Sequence, residues 1–241
     1  MPKEFIKNNG FTLVELLIAM AISGILVTSM YSVYTLQQRS YTVQDQVSEI
    51  QQKARAALDI MTREIRMAAY DPGKNCAATI HPSSNAKKLV FDTCDPVDKV
   101  CPECSLTFEW DDDELKMTRD QGRDGAPDPP VAGEWDNQPL IIARGVDAVE
   151  FRYLDEDGKK IANINASTVQ ISLLVRATYP DRKYTNTTLY QPASVRPPPA
   201  GGGEVLVAPW DNLNGSGGNP AHDKFHRRLL ITTVQMRNAR L

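Results

Sequence analysis

Histidine is scarce in this chain. His81, His222 and His226 are the only three in 241 residues, too few for a histidine-rich metal centre. There is no excess of positive charge. The net charge is −3 and the pI about 5.7, so the totals give no reason to expect a nucleic-acid partner. The mean hydropathy of −0.37 excludes a polytopic membrane protein. No Walker loop, no G-x-S-x-G and no H-E-x-x-H occurs, and no set of nucleophile, base and orienting group stands out, so the chain is not expected to be an enzyme. Length allows one large or two small domains.

Charge is also missing locally. From Phe11 to Leu36 the chain reads FTLVELLIAMAISGILVTSMYSVYTL, in which Glu15 is the sole charged residue. At about 1.5 Å per residue this run spans roughly 39 Å as a helix, enough to cross a bilayer core of about 30 Å. Lys3 and Lys7 precede it, so the positive-inside rule keeps the leader cytoplasmic and exports the rest. An ordinary signal peptide fits less well, because the run is long and no A-x-A-like site follows it. A plain membrane anchor leaves Glu15 unexplained, since a carboxylate in a spanning helix costs several kcal/mol unless paired or hydrated. A buried core helix would be unusual with every face apolar.

Gly10-Phe11-Thr12-Leu13-Val14-Glu15 resembles the processing motif of type IV prepilins. The resemblance implies cleavage after Gly10 by a prepilin peptidase and N-methylation of the new terminus at Phe11. Glu15 matches the family's buried glutamate. In a filament of side-by-side apolar helices a lone Glu15 would be an uncompensated buried charge. The amino terminus of an adjacent subunit can neutralise it, which favours one register of assembly.

The helical pattern continues past Leu36. Apolar or small residues recur at Leu36, Val43, Val47, Ile50, Ala54, Leu58, Met61, Ile65 and Ala68, an amphipathic stripe. Asp71-Pro72-Gly73 ends it. One helix is therefore expected from Thr12 to about Tyr70, with Gly24 as a weak point in its apolar half. Residues 41–70, and 61–70 in particular, are similar to PilW-type minor pilins, as are residues 232–238. J-type pseudopilins of type II secretion share the general layout.

After Gly73 the period changes to that of strands, at 88–92, 105–110, 114–118, 140–144, 148–154, 168–178 and 229–237. Val149, Phe151 and Tyr153 alternate with Glu150 and Arg152, as in a half-buried strand. A long helix followed by strands implies an α+β fold, the helix laid across an antiparallel sheet. The expected organisation is a cleaved leader at 1–10, a membrane-spanning or filament-core half-helix at 11–36, an amphipathic half at 37–72, and a periplasmic β-rich domain at 73–241. Residues 179–228, rich in Pro and Gly, read as a long flexible loop within it.

Cys76, Cys94, Cys101 and Cys104 all follow the apolar run, so export places them in an oxidising compartment. Two disulfides are then expected, with three possible connectivities, of which Cys76–Cys94 with Cys101–Cys104 is favoured. A Cys₄ zinc site is conceivable, though only one close pair exists. Cys101-Pro102-Glu103-Cys104 has redox-motif spacing without the βαβ context, which leaves a membrane-anchored thiol-redox protein as an alternative. Asp111-Asp112-Asp113 and Asp155-Glu156-Asp157 lack EF-hand spacing and read as solvated turns. No cofactor or metal is expected.

Taken with the resemblance, these features imply a minor pilin that takes part in initiation or assembly of a type IV pilus, at or near its tip. The implied partners are other minor pilins, the major pilin, the prepilin peptidase, an inner-membrane assembly platform and a tip adhesin. The implied location is the inner membrane with a periplasmic domain, later incorporated into an extracellular pilus. A J-type pseudopilin remains the alternative.

Overall fold

A computed structural model describes residues 10–68, 80–93, 104–111, 113–120, 139–162, 165–188, 190–194 and 223–237. They form two compact units that divide between Asp45 and Gln46. Helix α1, Leu13–Met67, contributes to both. It contains no proline, and Gly24 is its single glycine; an added Cβ there would meet nothing within 4 Å. The expected end near Tyr70 moves to Met67, where the Ala68 amide closes the last turn on Glu64 O at 2.9 Å and Ile65 O at 3.2 Å.

In the second unit α1 buries Gln46, Ile50, Ala54, Ala57, Leu58, Met61 and Ile65. Spacings of three and four keep these residues on one face. The stripe read from sequence was right from Ile50 onward but started too early, since Leu36 is 69% exposed. The first buried position is polar. The Gln46 side-chain amide donates to the Tyr179 carbonyl at 3.2 Å, which periodicity of apolar residues does not register.

That face packs on an antiparallel sheet of six strands in sequential order. The strands are β1 Lys88–Thr93, β2 Cys104–Asp111, β3 Asp113–Asp120, β4 Leu140–Leu154, β5 Thr168–Arg176 and β6 Arg227–Gln235. Leu89, Phe108, Leu115, Phe151, Ile171 and Leu173 join the helix residues in one core. The fold is thus α+β, a long helix packed on an antiparallel sheet, as the pattern implied. Two expected strands, 140–144 and 148–154, are one. The break between them is an irregularity in pairing: Val146 faces Val175 while Ala148 already faces Leu174, so Asp147 is an extra residue in β4. Gly145, next to it, has φ of 75°.

The two faces of the sheet differ along its width. On β2 and β3 the face away from the helix carries Thr107, Glu109, Lys116 and Thr118, in polar alternation. On β4 and β5 both faces are covered. Tyr190 packs against Ala148, Leu174 and Leu229. Glu150 points to this second face, as alternation predicted, yet it is buried. It accepts from the Ser194 amide at 3.3 Å and from Ser194 Oγ at 2.5 Å. The Ala193 amide donates to Ser172 Oγ at 3.0 Å, and the Arg152 guanidinium donates to Ala193 O at 3.3 Å.

The expectation of a flexible loop at 179–228 therefore does not hold at its two ends. Residues 179–188 and 223–228 clasp each other. Asp181 N donates to Lys224 O at 2.8 Å, and Asn186, fully buried, donates from its amide to Asp223 O at 2.7 Å and from its side chain to Phe225 O at 3.2 Å. Residues 195–222, the middle of that expected loop, lie outside the described residues.

Candidate functional site

The apolar helix begins with a built cap. Thr12 Oγ1 accepts from the Glu15 amide at 3.3 Å. In return a Glu15 carboxylate oxygen accepts from the Thr12 amide and from Thr12 Oγ1, both at 2.9 Å. This reciprocal pair is a capping box, T-x-x-E, which satisfies donors that a helix start leaves open. The pattern was present in Thr12-Leu13-Val14-Glu15, but the sequence reading treated Glu15 only as a charge awaiting a partner. Glu15 has partners within its own chain as well.

Gly10 and Phe11 stand clear of this cap. Phe11 is 89% exposed. A Cβ added at Gly10 would meet nothing within 4 Å, and its φ is not in the left-handed region. Nothing in the described fold requires glycine there. Lys3 and Lys7 lie outside the described residues.

Beyond the cap, α1 is exposed on every side through Thr42. It is long and apolar enough to cross a membrane, with none of its most apolar stretch buried. Four of its hydroxyls are turned inward to the helix. Thr28 Oγ1 donates to Gly24 O at 2.8 Å, Ser29 Oγ to Ile25 O at 2.9 Å, Ser32 Oγ to Thr28 O at 3.0 Å and Thr35 Oγ1 to Ser32 O at 2.9 Å. A surface of this kind presents methyl and methylene groups with its polar groups already satisfied, which suits hydrocarbon or another apolar helix.

Residues 6–31 match the prokaryotic N-terminal methylation motif. The motif takes in Gly10, Phe11 and Glu15 and reaches Tyr31. Among solved structures the chain is similar to a type IV-like pilin from Thermus thermophilus, with 18% identity, 78% of this chain and 96% of that chain covered, and a TM-score of 0.48. No curated protein matches it.

The other sites suggested by sequence fall elsewhere. Cys76, Cys94 and Cys101 lie outside the described residues, and Cys104 opens β2. The expected disulfides, the zinc alternative and the redox pair therefore also fall outside them. Of the acidic runs, Asp155 caps a turn, its carboxylate accepting from the Lys159 amide at 2.7 Å, with Gly158 at φ 77°. Asp113 pairs with Arg176 at 2.8 Å. Among the described residues no group of three His, Cys, Asp or Glu could hold a metal ion.

One charged cluster was not legible in the sequence. Arg227, with 2% of its side chain exposed, contacts Asp147 at 2.5 Å and grips Asp223 through two nitrogens at 2.6 and 2.5 Å. Arg176 also pairs with Asp147. Asp147, Arg176 and the Asp223–Arg227 pair are far apart in the chain, and the extra residue in β4 is Asp147 itself. Burial pushes the Asp223 carboxyl up, but the Arg227 guanidinium and the Phe225 amide hold it below the usual carboxylate range. The cluster fastens the clasp to the sheet.

Proposed function

We propose that this chain is a minor pilin that takes part in initiating or assembling a type IV pilus, at or near its tip. The observation that carries the reading is the methylation motif at residues 6–31, set at the start of an apolar helix that no described residue covers. In this reading a prepilin peptidase cuts between Gly10 and Phe11, which explains a glycine that the fold does not need, and Phe11 is then N-methylated. The helix holds the subunit in the inner membrane, with residues 73–241 as a periplasmic domain, until it enters the filament beside the major pilin and other minor pilins. The assembly platform and a tip adhesin would be its further partners. Glu15 then meets the amino terminus of a neighbouring subunit, and the capping box holds its carboxylate at the end of the helix where such a terminus would lie. A pilus is favoured over type II secretion by the resemblance of residues 61–70 and 232–238 to PilW-type sequences.

Intact-mass analysis of protein recovered from membranes tests this directly. The expected species begins at N-methylated Phe11. Gly10→Val should leave the leader attached, because a β-branched side chain obstructs close approach at the cut. A mature chain starting well beyond Leu36 would overturn the reading.

A further inference from the structure

The aromatic residues of α1 are distributed unevenly. Phe11 stands just ahead of the helix and Tyr31, Tyr34 and Tyr41 follow, while residues 12–30 contain no Phe, Trp or Tyr. At about 1.5 Å per residue that aromatic-free run is about 28 Å long, against a hydrocarbon core of about 30 Å. All four aromatic side chains are open, Phe11 at 89% and the three tyrosines at 61 to 68%. At about 100° per residue the tyrosines fall within roughly 80° of one another, so they form a stripe on one side of the helix. Gln37, Gln38 and Arg39 begin the polar chain among them. Rings with an apolar body and a polar tip settle at the boundary between hydrocarbon and water.

The other end has a matching feature. Glu15 lies one turn inside the run, yet its carboxylate does not. Side chains on a helix lean towards the N-terminus, and Glu15 Oε2 sits 2.9 Å from both the Thr12 amide and Thr12 Oγ1. The charge is carried at the level of Thr12, the edge of the aromatic-free run.

We infer that the partner of this helix before assembly is a phospholipid bilayer in a fixed register, with Phe11, Thr12 and the Glu15 carboxylate at one boundary, Tyr31 and Tyr34 at the other, and Tyr41 continuing their stripe beyond it. This rests on the membrane-anchor reading above and adds depth and rotation to it. The carboxylate then stays hydrated in the membrane, and its burial is deferred to the moment a subunit leaves lipid for the filament. The one-sided stripe sets which face of the helix turns towards the far headgroups.

The full chain, reconstituted into phosphatidylcholine vesicles brominated either near the headgroup or near the chain ends, reports the register. Leu13→Trp, Ile22→Trp and Tyr31→Trp each add an indole at an exposed position, read as emission in excess of the parent protein. At positions 13 and 31 the larger loss of emission is expected from bromine near the headgroup, and at position 22 from bromine near the chain ends. Stronger quenching at 13 or 31 by chain-end bromine would overturn the register while leaving anchorage intact. Protein that stays out of the vesicles, unquenched at all three positions, would overturn the anchor and the register together.

Discussion

Between residues 13 and 36 apolar side chains lie open along every face of α1, whereas in the second unit even a charged side chain, Arg227, keeps only 2% of its surface exposed. The first region leaves outside what proteins usually bury, and the second buries what they usually leave outside. Each departure is stable only if its missing half is supplied. For Arg227 the supply is internal, since Asp147 and Asp223 pair with it. For α1 the capping box and four back-bonded hydroxyls satisfy polar groups of the apolar half, but no described residue covers its apolar surface. The contrast separates a region built to be complete from one built to be completed.

The largest expected effect is on completion. Glu15→Ala removes the charge that an incoming amino terminus would meet, leaving that amine buried without a partner at about 3–5 kcal/mol. At about 1.4 kcal/mol per decade, filament content should fall a hundredfold or more while membrane content holds. Comparing sheared filaments with membranes at matched expression checks this. Glu15→Gln sharpens it, because Gln preserves the capping box without the charge. A loss as severe as that of Glu15→Ala assigns the effect to charge, and restored filaments assign it to the cap.

In the second unit Arg227→Ala should leave Asp223 without its guanidinium and Asp147 with Arg176 alone, and destabilise the domain by about 3 kcal/mol, read as a lower denaturation midpoint. Met61→Ala, at a fully buried helix position, should cost about 2–5 kcal/mol. Leu17→Ala is its counterpart in the first region, 56% exposed, and should leave that midpoint unchanged. An equal drop for Leu17→Ala would break the comparison, since it would mean that the open surface is already packed against something.

The smallest effect is on pH dependence. The Asp223 carboxyl has a folded-state pKa below its unfolded one. Its contribution is therefore full above the unfolded value of about 3.9 and is lost as pH falls through the lower folded value. Denaturation midpoints between pH 7 and pH 3 should fall at the acid end. Asp223→Asn should start lower and fall less.

The fold class, the helix and most strand positions were legible because period 3.6 and period 2 leave local marks, as at Ile50–Ala54–Leu58–Met61 and at Val149–Phe151–Tyr153. The methylation motif at residues 6–31 was legible for another reason: it is contiguous. What escaped was set by distant contacts. Gln46 is polar and reads as surface until Tyr179 supplies its acceptor. Glu150 reads as solvated until Ser194 covers it. The clasp at 179–188 and 223–228 joins segments that share no local pattern, and Gly145-Val146-Asp147 looked like the gap between two strands.

That gap has a consequence of its own. Pleated chain counts in twos, so one surplus residue inverts the parity of everything beyond it. Asp147 is such a residue. It lets Val146 and Val149, which differ in parity, both lie in the helix-side core, with Phe151 and Tyr153 in phase with Val149. Paired without the bulge, the same chain would present Glu150 and Arg152 to α1 and turn Phe151 outward, with every letter of the strand unchanged. The frame of β4 is therefore carried by where its pairing skips a residue, and not by any one of its side chains.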